Sequence, residues 1–309
     1  MNTFIPRLLC ACALLVPLAA FAGGSAEKKC NTKYPIILSH GMGVRDSILG
    51  VNYWYGIPDA LRDEGARVYI SNQNAFGSHA QRGEQLRAYI MGVLALYNYN
   101  TKVNIIGHSQ GTLDSRYVIA TPITYTVGGK TYTRKMSDFI ASWTGIAGPN
   151  RGSAVADVIL GALPNGTHTT VGAIINAAGW LMGDVKPDSL GAARNLTRDY
   201  MCNVFNKAYP DQPGVYYQSW AAKIKTLTAD CVLIEPTHLI LKFYEGDNDG
   251  LVSVSSAKWG NFRGVVSGAW WCGGVSHFNI VDQFFGVTPG FDAPAFYVDI
   301  VNDLKKRGY

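Results

Sequence analysis

Charge is scarce in these 309 residues: Asp, Glu, Lys and Arg together make 16%, against 48% hydrophobic residues. So little charge with so much apolar side chain excludes the disordered, collagen-like and low-complexity classes. Basic residues are not concentrated either. Lys+Arg 27 against Asp+Glu 22 gives a formal net charge of +5, and the one basic cluster, Lys305-Lys306-Arg307, has no interleaved aromatics. Nucleic acid is therefore not an expected partner. Internal repeats and linkers are also missing, so one domain is the economical reading, and a chain this long can bury a large core.

The apolar run over residues 8–20 falls short of the ~20 residues that a bilayer span needs. It follows Arg7 and leads into Ala20-Phe21-Ala22 and then Gly23. A positive start, a short apolar stretch and an A-x-A site predict a secretory signal over 1–22, and hence a secreted protein, extracellular or periplasmic. Of the six cysteines, Cys10 and Cys12 lie inside that signal, leaving Cys30, Cys202, Cys231 and Cys272. An even number fits an oxidising compartment.

Beyond residue 22, short apolar runs bounded by Gly, Pro or Asn alternate with longer helical patterns. That alternation predicts a single α/β domain over 23–309, with a mostly parallel sheet flanked by helices. Strands are expected at 34–38, 67–70, 103–106, 139–146 and 239–244, and helices at 81–96, 110–119 and 294–306. Two segments interrupt the pattern. Residues 125–132 carry β-formers on either side of Gly128-Gly129, a hairpin signal. The region at about 152–205 contains a stretch, 171–182, that is apolar almost all round, as in a core helix or a lid.

The strongest chemical signal is Gly107-His108-Ser109-Gln110-Gly111, directly after a buried-strand pattern and before a helical one. This G-x-S-x-G context describes a nucleophile elbow, whose sharp turn needs the two glycines to keep side chains out of the backbone's way. A serine hydroxyl needs an imidazole to take its proton, and the imidazole needs a carboxylate to fix its tautomer. With the chain order Ser, acid, His, only His168, His238 and His277 follow Ser109. His277, on a glycine-rich loop before the last helix, is the candidate base; His168 and His238 read as structural. For the acid, Asp247 and Asp249 compete in Glu245-Gly246-Asp247-Asn248-Asp249-Gly250. Two donors are needed for the oxyanion. The Gln110 N–H follows the nucleophile, and Met42, in Ser39-His40-Gly41-Met42-Gly43, is the candidate for the second. His40 precedes Ser109 and suits a loop-bracing role.

Three stretches, 33–42, 48–58 and 82–86, together with the elbow, closely resemble the secreted bacterial triacylglycerol lipases of the Pseudomonas and Burkholderia type. Asn248-Asp249-Gly250-Leu251-Val252 is similar to that family's catalytic-acid segment, which selects Asp249 over Asp247, and His277 matches its base. The resemblance implies an α/β-hydrolase fold, ester hydrolysis at a lipid surface, a mobile lid, a structural calcium near the His loop and, in many relatives, a dedicated secretion chaperone. By the same resemblance the calcium ligands fall on Asp230, Asn279, Gln283 and Val287, with Asn279 standing where the family has an aspartate. The loss of that charge weakens a calcium site. Cysteine placement departs from the family. Of the three pairings that four cysteines allow, the expected one joins Cys202 to Cys231 and Cys30 to Cys272.

The sequence thus predicts an exported serine ester hydrolase, lipase-like toward acylglycerols, that needs no cofactor for its chemistry. A broader carboxylesterase or polyester hydrolase is the alternative, on the strength of Trp54, Tyr55, Trp180, Trp270 and Trp271 as stacking surfaces. A non-catalytic binding protein on the same scaffold is the reading from a different class.

Overall fold

A computed structural model describes residues 27–42, 47–48, 51–74, 77–161, 193–226, 234–283 and 288–309. The leader, most of the lid region with its 171–182 stretch and His168, and Asp230, Cys231 and Val287 lie outside the described residues.

The centre is a six-stranded sheet built from β1 (Ile36–Ser39), β4 (Val68–Ile70), β5 (Val103–His108), β8 (Ile140–Ile146), β9 (Tyr216–Ala222) and β10 (Asn261–Val266), in the order β10-β9-β8-β5-β1-β4. Every pairing in it is parallel. Every residue of β1, β5 and β8 is buried, as expected where helices cover both faces of a parallel sheet. A short ribbon of β2 (Ser47–Ile48) and β3 (Val51–Asn52) follows β1. The Gly128-Gly129 turn joins β6 (Pro122–Val127) to β7 (Lys130–Lys135) in an antiparallel hairpin, as the sequence predicts.

The helices are α1 (Ile57–Asp63), α2 (His79–Leu96), α3 (Gly111–Ala120), α4 (Ala154–Ile159), α5 (Glu235–Tyr244) and α6 (Ala293–Lys306), with shorter turns between them. α2 starts at a capping box, in which Ser78 accepts from the Gln81 N–H and the Gln81 side chain reaches back to the Ser78 N–H. Two apolar cores flank the sheet. One gathers Ile36, Leu38, Trp54 and Ile106 against Tyr297 and Val301 of α6; the other gathers Ile37, Ile105 and Trp143 against Leu86 and Ile90 of α2.

Two expectations are corrected. Residues 239–244 are not a strand but the end of α5, which carries Pro236 in its first turn. Its Thr237, Ile240 and Leu241 are buried whereas Leu239 and Phe243 face out, a helical period that an almost continuous apolar run conceals. The Cys30–Cys272 disulfide is absent: both thiols are free and buried. Cys30 precedes β1, where its N–H bonds to Glu64 O and its sulfur lies against Val298 O. Cys272 follows β10. The two therefore sit off opposite ends of a parallel sheet. Cys202 is also free and exposed, while its expected partner Cys231 lies outside the described residues.

Candidate active site

All parallel strands end on the same side, and the loops after β1, β5, β9 and β10 meet there, the usual place for a site in such sheets. β5 ends at His108, and Ser109 follows at φ +54, a left-handed conformation uncommon for a residue with a side chain. Strain of this kind costs on the order of 1–3 kcal/mol and persists only where the surroundings enforce it. The Ser109 N–H bonds to Ile146 O at 3.1 Å, and Gln110 caps α3. A side chain at Gly107 would come within 2.8 Å of Gly111 O, and one at Gly111 would land on Ser39 O. The elbow thus needs both glycines.

Asp249 lies on the connection between β9 and β10, and His277 on the loop between β10 and α6. His277 Nδ1 and Asp249 Oδ2 are 2.8 Å apart, with both side chains almost fully buried. The other carboxylate oxygen, Oδ1, accepts from the N–H groups of Leu251 at 3.0 Å and Val252 at 2.7 Å. The His277 N–H in turn donates to Asp249 O at 2.9 Å. A carboxylate so held accepts from the Nδ1–H, which leaves Nε2 with a free lone pair. The His277 ring lies 4.6 Å, centroid to centroid, from the ring of His108, the residue before Ser109. Asp247, by contrast, faces solvent and pairs with Lys223 at 3.0 Å and Lys242 at 2.9 Å; those ammonium groups lower its pKa. His238 braces the acid turn: its Nδ1 bonds to Asn248 Oδ1 at 2.8 Å, the oxygen that also accepts the Gly250 N–H.

The loop after β1 lies over the nucleophile. A Cβ on Gly41 would sit 2.7 Å from Ser109 Cβ, so the Gly41–Met42 peptide is pressed against the elbow. The Gly41 N–H donates to Tyr53 OH at 3.0 Å, and that hydroxyl donates to His108 Nδ1 at 2.5 Å. Burial first, and His277 second, hold the His108 pKa well below the usual imidazole range. The Gln110 side chain donates through Nε2 to Gly77 O at 2.9 Å, and its backbone N–H is the donor that follows the nucleophile.

Residues 33–170 match the lipase (class 2) family. A triacylglycerol lipase of Vibrio cholerae serotype O1 is 31% identical over 305 residues, which covers 90% of this chain and 89% of that one. The chain belongs to the bacterial triacylglycerol lipases. A triacylglycerol lipase of Burkholderia plantarii is 38% identical over 213 residues, 65% of this chain and 55% of that one. The crystal structure of a Bacillus licheniformis lipase in its mature form covers 89% of this chain and 93% of its own, with a TM-score of 0.62 at 15% identity, a likeness of fold. This lipase is accordingly an enzyme of the α/β-hydrolase fold that hydrolyses esters.

Of the calcium ligands expected from the family, Asn279 and Gln283 fall among the described residues, and Asp230 and Val287 outside them. Asn279 Oδ1 already accepts from Ser276 N–H at 3.2 Å and Ser276 Oγ at 2.6 Å, and its Nδ2 donates to Thr288 Oγ1 at 3.1 Å. The Gln283 side chain donates through Nε2 to Tyr53 O at 3.4 Å, and the oxygen expected to meet calcium there is its backbone carbonyl. The neutral amide thus ties the His277 loop to Thr288.

The sequence reading missed Tyr53, Arg82 and Asp114. Arg82 sits in the 82–86 block quoted above. Asp114 is a carboxylate in the first turn of the helix behind the elbow, where an apolar core is due, and that misplacement was the available signal.

Proposed function

We propose that this chain cleaves acylglycerol esters at a lipid surface through an acyl-enzyme on Ser109. The observation that carries the reading is the buried Asp249–His277 hydrogen bond beside the elbow. Ser109 Oγ attacks the ester carbonyl carbon while its proton passes to His277 Nε2, and the carbonyl electron pair moves onto oxygen. The N–H groups of Met42 and Gln110 receive that oxyanion. Collapse breaks the bond to the alcohol, which leaves with the proton from Nε2. Water then attacks the acyl carbon, gives a proton to Nε2, and releases the acid as the proton returns to Ser109.

The triacylglycerol lipases among its relatives support acylglycerols as substrates. A second reading, a polyester hydrolase, draws on Trp270 and Trp271, 90% and 61% exposed on the loop that leads to His277; Trp54 is buried and has no part in it. Export by the 1–22 leader belongs to the proposal, as does a dedicated secretion chaperone. Among the described residues no helix is long and apolar enough to cross a membrane.

Ser109→Ala tests the proposal. Turnover of p-nitrophenyl butyrate and labelling by a fluorophosphonate probe are both expected to vanish, with the circular dichroism spectrum unchanged; wild-type-like turnover overturns it. Emulsified triolein, tributyrin and a polyester film, assayed side by side, separate the two substrate readings.

A further inference from the structure

A fully buried arginine–aspartate pair is costly to place in a core, and no step of the ester chemistry above uses one. Arg82, in the first turn of α2, donates through Nε to Asp114 Oδ2 in α3 at 2.8 Å, and both side chains are wholly excluded from solvent. Nη1 donates to Asn74 O, ahead of α2. Nη2 donates to His40 O at 2.6 Å and to Gly41 O at 3.1 Å. One planar fork therefore holds the loop after β1, the loop before α2 and the helix after Ser109.

The two carbonyls matter because of their neighbours. Gly41 C=O and Met42 N–H belong to one planar trans peptide unit and point in opposite directions, so holding the oxygen fixes the direction of the N–H. Gly41 O takes a second bond from His40 Nδ1 at 2.8 Å. The other nitrogen of that ring accepts the Gln73 N–H at 3.0 Å, which fixes the tautomer. Burial, aided by Arg82, brings the His40 pKa down to about 3 and keeps the ring neutral. On the far side of the pair, Asp114 belongs to the helix whose first N–H groups begin at Gln110. Both oxyanion donors thus ride on segments that Arg82 joins.

We infer that the Arg82–Asp114 pair is a positioning device for the oxyanion hole: it holds the 41–42 peptide with the Met42 N–H turned toward Ser109 and sets its spacing from the Gln110 N–H. The inference rests on the Ser109 mechanism proposed above. It makes Arg82 and Asp114 positioning residues, with no contact to substrate. A misdirected oxyanion donor slows the chemical step and leaves ground-state binding alone.

Arg82→Lys keeps the charge but loses the planar fork. The expected result is a fall in kcat on p-nitrophenyl butyrate of about 100-fold with KM changed by less than about threefold, because that is the scale of losing one oxyanion donor. A trifluoromethyl ketone, which forms an oxyanion on Ser109, is expected to bind more weakly by a similar factor. Asp114→Asn carries the same test if Arg82→Lys does not fold. Its amide oxygen still accepts from Nε but no longer holds the guanidinium by charge, and kcat is expected to drop by about tenfold at nearly constant KM. A folded variant whose kcat stays within about threefold of wild type, or whose loss lies wholly in KM, overturns the inference. Ser109→Ala run alongside separates the two claims: if it is inactive while Arg82→Lys is fully active, the positioning role alone falls, and if it is active, the nucleophile itself is wrong.

Discussion

Asp249 commits one carboxylate oxygen to the N–H groups of Leu251 and Val252 and the other to His277 Nδ1. Those two tasks respond differently to Asp249→Asn. An amide oxygen facing the Leu251 and Val252 N–H groups keeps the turn intact, so the fold survives. The amide N–H2 then faces Nδ1 and forces it to accept, which places the ring proton on Nε2, where it blocks uptake of the Ser109 proton. Turnover of p-nitrophenyl butyrate is expected to fall by about 10⁴-fold, the scale seen when a triad histidine is held in the wrong tautomer, with the thermal unfolding midpoint nearly unchanged. Residual activity within about tenfold of wild type would mean that Asp249 does not orient the base. Asp247, two residues earlier, gives the contrast. It is held only by surface pairs to Lys223 and Lys242, and Asp247→Asn is expected to leave kcat alone.

At the level of elements, α5 offers a test that discriminates helix from strand. In a strand, Leu241 and Phe243 would share a face. In the helix, Leu241 is fully buried against α4 while Phe243 is 81% exposed. Leu241→Ala is expected to cost about 2–5 kcal/mol, and Phe243→Ala no more than about 0.5 kcal/mol, by urea unfolding; equal costs would contradict the helix. The same element marks where sequence reading fails. Helices α2, α3 and α6 and strands β1, β5 and β8 were legible because short apolar runs bounded by Gly, Pro or Asn alternate with longer stretches, α2 and α6 opening on the capping side chains Ser78 and Asp292, and the elbow was legible because its glycines sit where the turn demands them. α5 was misread because Leu239, Ile240, Leu241, Phe243 and Tyr244 are apolar on both faces. β9 was missed because it buries Gln218 and Ser219, which bond to Thr144 Oγ1 and Trp259 O, so no apolar run marks it. Of the site, Ser109, His277 and His40 could be picked out by motif and order. The joining of Arg82 to Asp114 could not, because two charges on different helices carry no sign of which pair will be buried together.

For the molecule as a whole, five buried groups set how stability responds to acid between about pH 5 and 6.5. His40, His79 and His108 are held neutral chiefly by burial, with pKa values brought down to about 3 for His40, about 4 for His79 and well below the ordinary value for His108. A histidine whose pKa is lower in the fold contributes stability that is present above pH 6.5 and lost as pH falls. Asp114 and Asp282 oppose them: burial raises their carboxyls to about 7 and about 6, so each stabilises the fold at low pH and loses that contribution as pH rises. At pH 5 the unfolded chain binds about three protons at these five positions and the folded chain about two, a net slope of about one proton toward acid unfolding. Asp114→Asn removes one of the two native protons while leaving the three histidines in place. The difference then becomes about two protons, so the unfolding free energy of the variant is expected to fall about twice as steeply with acid as that of the wild type. Urea unfolding of both proteins at pH 5, 5.5, 6 and 6.5 measures it directly. Parallel curves would show that Asp114 stays ionised beside Arg82 throughout this range, and that the buried pair is a true ion pair even in mild acid.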